Sequence, residues 1–465
     1  AKNVIIFLAD GMDVTTVTAA RILGGQLDGG SGEEHRLTFE QLPHTALIRT
    51  YTTNMQVPDS AGTMTAILSG VKTRSGVLGV DERVRLGDYQ SVAASRVESL
   101  CERAEGRGLS TGVVTTTRLT HATPAACFAH TANRNWEDDS NLPRAARRAD
   151  FPDIARQLLE FDAGDGIDVA LGGGRRQFLA APEGSRSDDR NLMDEWTKGR
   201  GAARTVRSGT ALRALDLAST DRLLGLFAES HLNFEADRAG SDEPSLAEMT
   251  EAALAILSRT PRGYVLVVEG GRIDHGHHAG NAHRALRDTL AFDEAVALAL
   301  ARVDREETLL VVTADHGHTL SLGGYAPRGN PILGLVTGAD PFGEDTSGKP
   351  APDLSGRPFT TLHYANGPGY AGETDQQPAG AKRFPHRPKT AKPASGRPEL
   401  SQEQATNADH LQEALIPLAS ETHGGADVPL FATGPGAFVF HGVQEQNFIF
   451  HAIVSALGWE SEEAG

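Results

Sequence analysis

A mostly parallel β-sheet covered by helices on both faces, a three-layer α/β/α sandwich, is the fold predicted for this chain of 465 residues. Three observations predict it. Short runs of β-branched and aliphatic residues recur along the chain and read as buried strands. Stretches of helical periodicity separate them, the alternation of a parallel sheet with crossover helices. The residues able to do chemistry cluster just after the apolar runs, at the carboxyl ends where such sheets collect their ligands.

Taken in order, residues 4–9 form the first strand and deliver Asp10-Gly11. A helix over 61–68 follows Pro58-Asp-Ser60, and residues 112–117 are the next strand. The segment Thr123-Pro-Ala-Ala-Cys-Phe-Ala-His130 reads as the first turns of a helix with proline at N1. Residues 168–171 are a further strand, and 181–243 mix helix with charged loop as a surface excursion. A helix over 245–257 starts at Ser245, with Glu248 three residues on completing a capping box. Residues 264–268 are a strand, and the amphipathic helix 282–302 feeds directly into the strand 308–313. Residues 325–418 are rich in Gly, Pro, Asp and Thr and break this rhythm, which resumes at 430–432. The expected organisation is therefore a discontinuous core, 1–324 and 419–465, with an insertion at 325–418. Its basic stretch, Lys382 to Lys392, is expected to be a Pro-rich solvated loop.

Composition narrows the function classes. A net charge of −17 and a pI near 5.5 leave no basic footprint for general nucleic-acid binding. No apolar run approaches the roughly 20 residues that span a membrane. The chain opens directly on a strand entry, so an export signal is expected to have been removed or never to have existed. The tail 459–465 is polar, so no hydrophobic anchor is expected in it. Cys101 and Cys127, the two cysteines, are expected to be buried free thiols.

The chemistry concentrates in two strand-end clusters. One is Tyr264-Val-Leu-Val-Val-Glu-Gly-Gly-Arg-Ile-Asp-His-Gly-His-His278, the other Leu309-Leu-Val-Val-Thr-Ala-Asp-His-Gly-His318. Carboxylates and imidazoles leaving a buried strand together are costly to dehydrate without a cation, and a divalent metal is the usual partner. Asp274 and His278, four apart, share one face of a helical turn and are able to hold one zinc. Asp315 and His316 are a compact pair for a second. His423, in Glu421-Thr-His-Gly-Gly425, is a candidate third ligand for the first metal. Asp10 has two oxygens with which to bridge two cations, although Asp-Gly after a strand is also an ordinary turn. Ser60 stands before a helix, where orphan N–H groups favour negative charge; on the segment alone it would simply cap that helix. A metal at its oxygen would make it a nucleophile. Thr123 offers oxygen to a hard cation, and Arg134 offers a planar fork that matches two phosphate oxygens.

Together these segments resemble alkaline phosphatases, above all the animal-like branch, of which the chain is expected to be a bacterial member. The likeness runs from Asn3-Val-Ile-Ile-Phe-Leu-Ala-Asp-Gly-Met12 through Thr422-His-Gly-Gly425 to His441-Gly-Val-Gln-Glu-Gln446. The resemblance implies two zinc ions and one magnesium ion per subunit. Asp274, His278 and His423 would hold the first zinc; Asp10, Asp315 and His316 the second, which activates Ser60; Asp10, Thr123 and Glu269 the magnesium. Arg134 would grip the phosphoryl group with Asp59 orienting it, and His121 and His275 match the animal-like histidines around the metals. It also implies hydrolysis of phosphate monoesters through a phosphoserine, a homodimer contacted through the 325–418 insertion around Tyr325, and a periplasmic or secreted location. Two departures stand out. Ala228, after Gly225-Leu-Phe, replaces the acidic residue with which some animal members bind a fourth, calcium-like metal, and Cys101 and Cys127 do not reproduce the animal disulfides.

Rival readings fit less well. A sulfatase would need Cys or Ser in a Cys/Ser-x-Pro-x-Arg context, but Ser60 is followed by Ala-Gly-Thr. A phosphodiesterase usually lacks a phosphate-gripping arginine, and a non-catalytic binder has no need of Ser60.

Overall fold

The computed structural model describes residues 1–198, 201–338, 340–344 and 347–459. The tail after 459 lies outside the described residues. A ten-stranded sheet forms the core. Its strands are β1 (Asn3–Leu8), β2 (His44–Arg49), β3 (Ser110–Arg118), β4 (Val169–Gly173), β5 (Ala203–Val206), β6 (Arg222–Leu226), β7 (Tyr264–Glu269) and β8 (Thr308–Thr313), followed by Val428–Thr433 and Gly442–Glu445. Across the sheet they run Gly442–Glu445, β2, Val428–Thr433, β8, β1, β7, β3, β4, β6, β5. Only Val428–Thr433 runs against the rest, pairing antiparallel with both β8 and β2. The predicted mostly parallel sheet is the one observed.

Successive residues of β3 show why the molecule has three layers. The Gly112 position faces Leu257 of the helix Leu246–Leu257, whereas the Thr111 hydroxyl donates 2.6 Å to Glu105 on the helix Leu100–Glu105. Neighbouring strand residues point to opposite faces, so the two helices cover opposite sides. Strands β1, β7 and β8 are buried along their whole length, which explains their uninterrupted apolar sequences. On one side Phe292, from the helix Ala282–Arg302, stands edge-on to Phe7 at 5.8 Å and to Phe39 at 6.2 Å. Such pairs add about 1 kcal/mol beyond the area they bury.

The sheet register sets up the site. Leu8 is level with both Thr313 and Glu269, and Glu269 is level with Thr115. The carboxyl ends of β8, β1, β7 and β3 therefore form one edge, and Asp10 and Asp315 each follow two residues beyond it.

Four details differ from the sequence expectations. Strands β5 and β6 extend the main sheet, so 181–243 is not a mere surface excursion; both are short, and Arg222 is buried beside Asp168, which hides their character. The helix at Thr123 is a single turn, Ala122–Ala125, with Pro124 at its third position and Cys127 beyond its end. Ser60 is the first residue of helix α2 (Ser60–Ser69) and does not cap it; Asp59 does, its Oδ1 accepting from Gly62 N at 3.1 Å. Within the basic stretch Lys382 and His386 are buried, Lys382 Nζ donating to the carbonyls of Pro378 and Gly380. Cys101 and Cys127 are buried and free, as expected.

Within and beside residues 325–418, Leu320–Leu322, Leu362–Gly367 and Ala414–Pro417 form a separate three-stranded sheet. The chain returns through His423–Gly424, which pairs antiparallel with Gly317–His318. That pairing carries His423 to the strand-end clusters. No helix among the described residues is long and apolar enough to cross a membrane.

Candidate metal centre

Three groups of ligand atoms meet at the carboxyl edge. In the first, Asp274 and His278 lie on the helix Arg272–His278, and His423 arrives from the returning chain. Asp274 Oδ1 is 3.3 Å from His278 Nε2 and 3.4 Å from His423 Nε2, and the two imidazole nitrogens are 3.1 Å apart. In the second, His316 Nε2 is 3.4 Å from Asp10 Oδ1 and 3.3 Å from Asp315 Oδ2. Ligands about 2.0–2.1 Å from a tetrahedral zinc stand roughly 3.3 Å from one another, so the first triangle and both His316 edges of the second have the dimensions of a zinc shell.

The third group rests on Asp10, Glu269 and Thr123. Asp10 Oδ1, Glu269 Oε1 and Thr123 Oγ1 are all buried without a hydrogen-bond partner. An orphaned buried oxygen needs an explanation, and three beside one another fit a hard, oxygen-loving cation. The other oxygen of Glu269 is held by the hydroxyls of Thr115 and Thr117, the latter at 3.0 Å. His121 also faces this group, with a ring nitrogen within ligand range of Asp10 and Glu269, and its Nδ1 has no hydrogen-bond partner.

Imidazole tautomers are set for metal binding. His278 Nδ1 donates to the carbonyl of Glu421 at 2.5 Å and His423 Nδ1 to that of Pro58 at 2.7 Å, leaving Nε2 of each as a bare donor atom for a cation. Ser60 sits between the groups, nearly fully buried, with Oγ 3.3 Å from His316 Nε2 and 3.5 Å from Asp10 Oδ2. Arg134 reaches in from the side. Its Nη1 donates to Asp59 Oδ2 at 3.1 Å and its Nη2 lies 3.1 Å from His121 Nε2. Asp59 thus uses one oxygen to cap α2 and the other to aim the guanidinium. His275 stacks edge-on to His121 at 5.6 Å and takes a contact from Arg272 Nη1 at 2.9 Å. Ser60, Arg134, Asp274, His278 and His423 line a cleft of about 330 Å³ that opens to solvent.

Every site residue singled out in the sequence lies in this one region. The family model described as "Alkaline phosphatase" matches residues 1–459 of the chain. The chain belongs to the alkaline phosphatase family. It is 44% identical to the tissue-nonspecific alkaline phosphatase isozyme of Gallus gallus, over 98% of this chain and 84% of that protein. It is 42% identical to an alkaline phosphatase of Gadus morhua, over 98% of this chain and 91% of that one. Among solved structures, the alkaline phosphatase of Thermus thermophilus superposes with a TM-score of 0.68 at 26% identity, covering 98% of this chain and 91% of that one. Like its relatives, the enzyme is a metal-dependent hydrolase of phosphate monoesters.

The electrostatics of this phosphatase site call for cations. Burial, reinforced by Asp315, Asp274 and Glu269, raises Asp10 well above the usual carboxylate range. Burial also raises Asp315, and lifts Glu269 to about 7. Burial holds His316 and His278 below the ordinary imidazole range, the direction that favours the neutral, ligating form. Asp274 is the exception: burial would raise it, but His278, His318 and His423 pull it well down.

Several participating residues were not assigned from sequence. His318 lies between two carboxylates, Nε2 at 2.9 Å from Asp274 Oδ1 and Nδ1 at 2.6 Å from Glu421 Oε2. Burial disfavours its charge, yet Glu421 and Asp274 together lift its pKa to about 10. The Asp-His-Gly-His spacing, with two histidines on alternate residues, was the available signal. Arg118 lines the cleft, gripped by Glu137 through Nε and Nη2 at 2.7 Å each, and its Nη1 contacts His231. Gly11 adopts φ +78°, and a Cβ there would lie 2.5 Å from the His318 ring and 3.2 Å from the Asp274 backbone. Only glycine suits that position, on both conformational and spatial grounds.

Proposed function

We propose that the enzyme hydrolyses phosphate monoesters with two zinc ions and one magnesium ion, Ser60 serving as the phosphorylated nucleophile. The observation that carries this reading is the two groups of ligand atoms flanking Ser60, with separations of 3.1–3.4 Å within them and three orphaned oxygens beside them. Asp274, His278 and His423 would hold the first zinc, and Asp10, Asp315 and His316 the second. Asp10, Glu269 and Thr123 would hold magnesium. When bound, these cations supply Lewis acidity that makes a hydroxyl nucleophilic at ordinary pH, and they offset charge on the phosphoryl oxygens.

The chain's own groups do the rest. The N-terminus of α2 presents Ser60 Oγ beside orphan N–H groups that favour an anion. Arg134, aimed by Asp59 and His121, meets two phosphoryl oxygens with a fork of fixed geometry. Ser60 takes the phosphoryl group as the alcohol departs, and water then releases phosphate and restores the hydroxyl. Placement and charge, more than covalent chemistry, supply the rate. The cleft holds only the phosphoryl end, so a range of leaving alcohols is accommodated outside it.

Removal of metal tests the proposal. Dialysis against a chelator should abolish hydrolysis of a chromogenic monoester, zinc plus magnesium should restore it, and metal analysis should return two zinc and one magnesium per chain. Activity that survives complete metal removal would refute it. Arg134→Ala should lower kcat/KM on the order of 10²-fold and relieve inhibition by inorganic phosphate. Steady-state kinetics with phosphate as inhibitor reads both effects.

We further propose a homodimer contacted through the 325–418 insertion and a periplasmic or secreted location, as the family resemblance implies. Tyr325 supports the first point: it is 71% exposed and held at φ 54°, projecting from the segment assigned to the partner contact.

A further inference from the structure

Tyr364 lies in the insertion, on the strand Leu362–Gly367, yet its ring is almost completely buried and its hydroxyl is directed at the metal-binding helix. The hydroxyl is 2.7 Å from His277 Nδ1. On the far side of that ring, His277 Nε2 is 3.1 Å from Thr16 Oγ1. Proton directions along this line follow from its end. Thr16 has one hydroxyl proton and donates it to Asp13 Oδ1 at 3.0 Å. Its oxygen therefore accepts from His277, which places the imidazole proton on Nε2. His277 is wholly buried and, among the described residues, has no ion pair with a carboxylate, so it is neutral and its Nδ1 is bare. That bare nitrogen accepts the Tyr364 O–H. Each proton on the line is used once, and Asp13 Oδ1 at its end accepts from both the Thr16 hydroxyl and the Thr16 backbone N–H.

The line ends against the first metal group. His277 stacks on His318 with centroids 4.7 Å apart and planes 28° from parallel. The position of Gly11 closes the other approach to His318, and the same ring donates from Nε2 to Asp274 and from Nδ1 to Glu421. The Tyr364 strand is also hydrogen-bonded to the strand just after His318, with Tyr364 level with Leu320.

We infer that Tyr364 is a positioning residue for the first metal group, its hydroxyl fixing the tautomer and plane of His277 so that His318 is clamped against Asp274. The inference rests on the metal assignment proposed above. It makes the insertion part of the scaffold of the metal centre. Neighbours that orient metal ligands without touching the metal typically change affinity 10–100-fold when removed.

The test compares Tyr364→Phe with Leu362→Ala, a packing control on the same strand with no polar side-chain contact to lose. Holoenzyme of each is mixed with excess chelator and zinc release is followed with a chromophoric indicator. Tyr364→Phe should release its more labile zinc about tenfold faster than the unaltered enzyme, whereas Leu362→Ala should lower the melting temperature without changing that rate. Equal release from Tyr364→Phe and unaltered enzyme would overturn the inference, and so would equal acceleration by Leu362→Ala. Should Tyr364→Phe fail to fold, imidazole nitrogen shifts of His277 in the unaltered chain decide. A proton on Nε2 alone is expected, and a proton on Nδ1 sinks the idea. The two readings fail separately: unaltered chain that takes up no zinc counts against the metal assignment, whereas zinc-loaded chain indifferent to Tyr364 counts only against this inference.

Discussion

Ser60→Ala should fold, bind zinc and magnesium, and lose turnover of phosphate monoesters by roughly 10⁴–10⁶-fold, the range seen when a nucleophile is removed from an otherwise intact site. The fold should survive because Ser60 does not cap α2. Asp59 does, and its second oxygen accepts from Arg134, so the substitution leaves both helix start and guanidinium in place. The residue lost is one hydroxyl, nearly fully buried, 3.3 Å from His316 and 3.5 Å from Asp10. Labelled phosphate should become acid-stably attached to Ser60 in the unaltered enzyme and not in the variant. Full activity in Ser60→Ala would exclude a covalent step altogether.

Asp10→Asn should have effects of opposite sign with and without metal. In the proposed assignment Asp10 belongs to both the second zinc group and the magnesium group, so the substitution would remove one negative ligand from each. Turnover should fall by more than roughly 10²–10³-fold, the cost of losing one preorganised electrostatic contact. In metal-free protein the same change should be stabilising. Burial and three neighbouring carboxylates raise the folded-state pKa of Asp10 above its ordinary value. A raised acid contributes stability that is full below its unfolded pKa and is lost as pH rises through its folded pKa. Metal-free Asp10→Asn lacks that loss and should melt higher than the metal-free parent at neutral pH, while the metal-loaded order reverses. Thermal unfolding of both proteins, with and without chelator, reads the crossing. A variant that melts lower in both states would show that Asp10 is not held against its charge.

Much of this was legible in the sequence because the central strands leave no ambiguity. Strands β1, β7 and β8 are buried on both faces, so they appear as unbroken apolar runs that end abruptly in Asp10, Glu269 and Asp315. The strands that escaped notice are peripheral. β2 is buried only at alternate positions, β5 has four residues, and Gly442–Glu445 is half exposed at the edge. Such segments look like loops until pairing defines them. Within the site, Asp274 and His278 could be paired because one helical turn joins them. Glu421 and His318 could not: 103 residues separate them, and only the pairing of His423–Gly424 with Gly317–His318 brings them together. The role of Asp59 as helix cap was equally hidden, since Ser60 beside it is an equally good cap by residue type.

The absence of a side chain at position 11 has a wider consequence. Gly11 directly follows Asp10, which the proposed assignment places in two of the three cation groups, and it packs against the His318 ring and the Asp274 backbone of the remaining one. The spacing between these groups of ligands is therefore gauged by main chain, not by flexible side-chain reach. Even a methyl group at this turn would push against both the His318 ring and the Asp274 backbone, and so loosen neighbouring ligand groups at once.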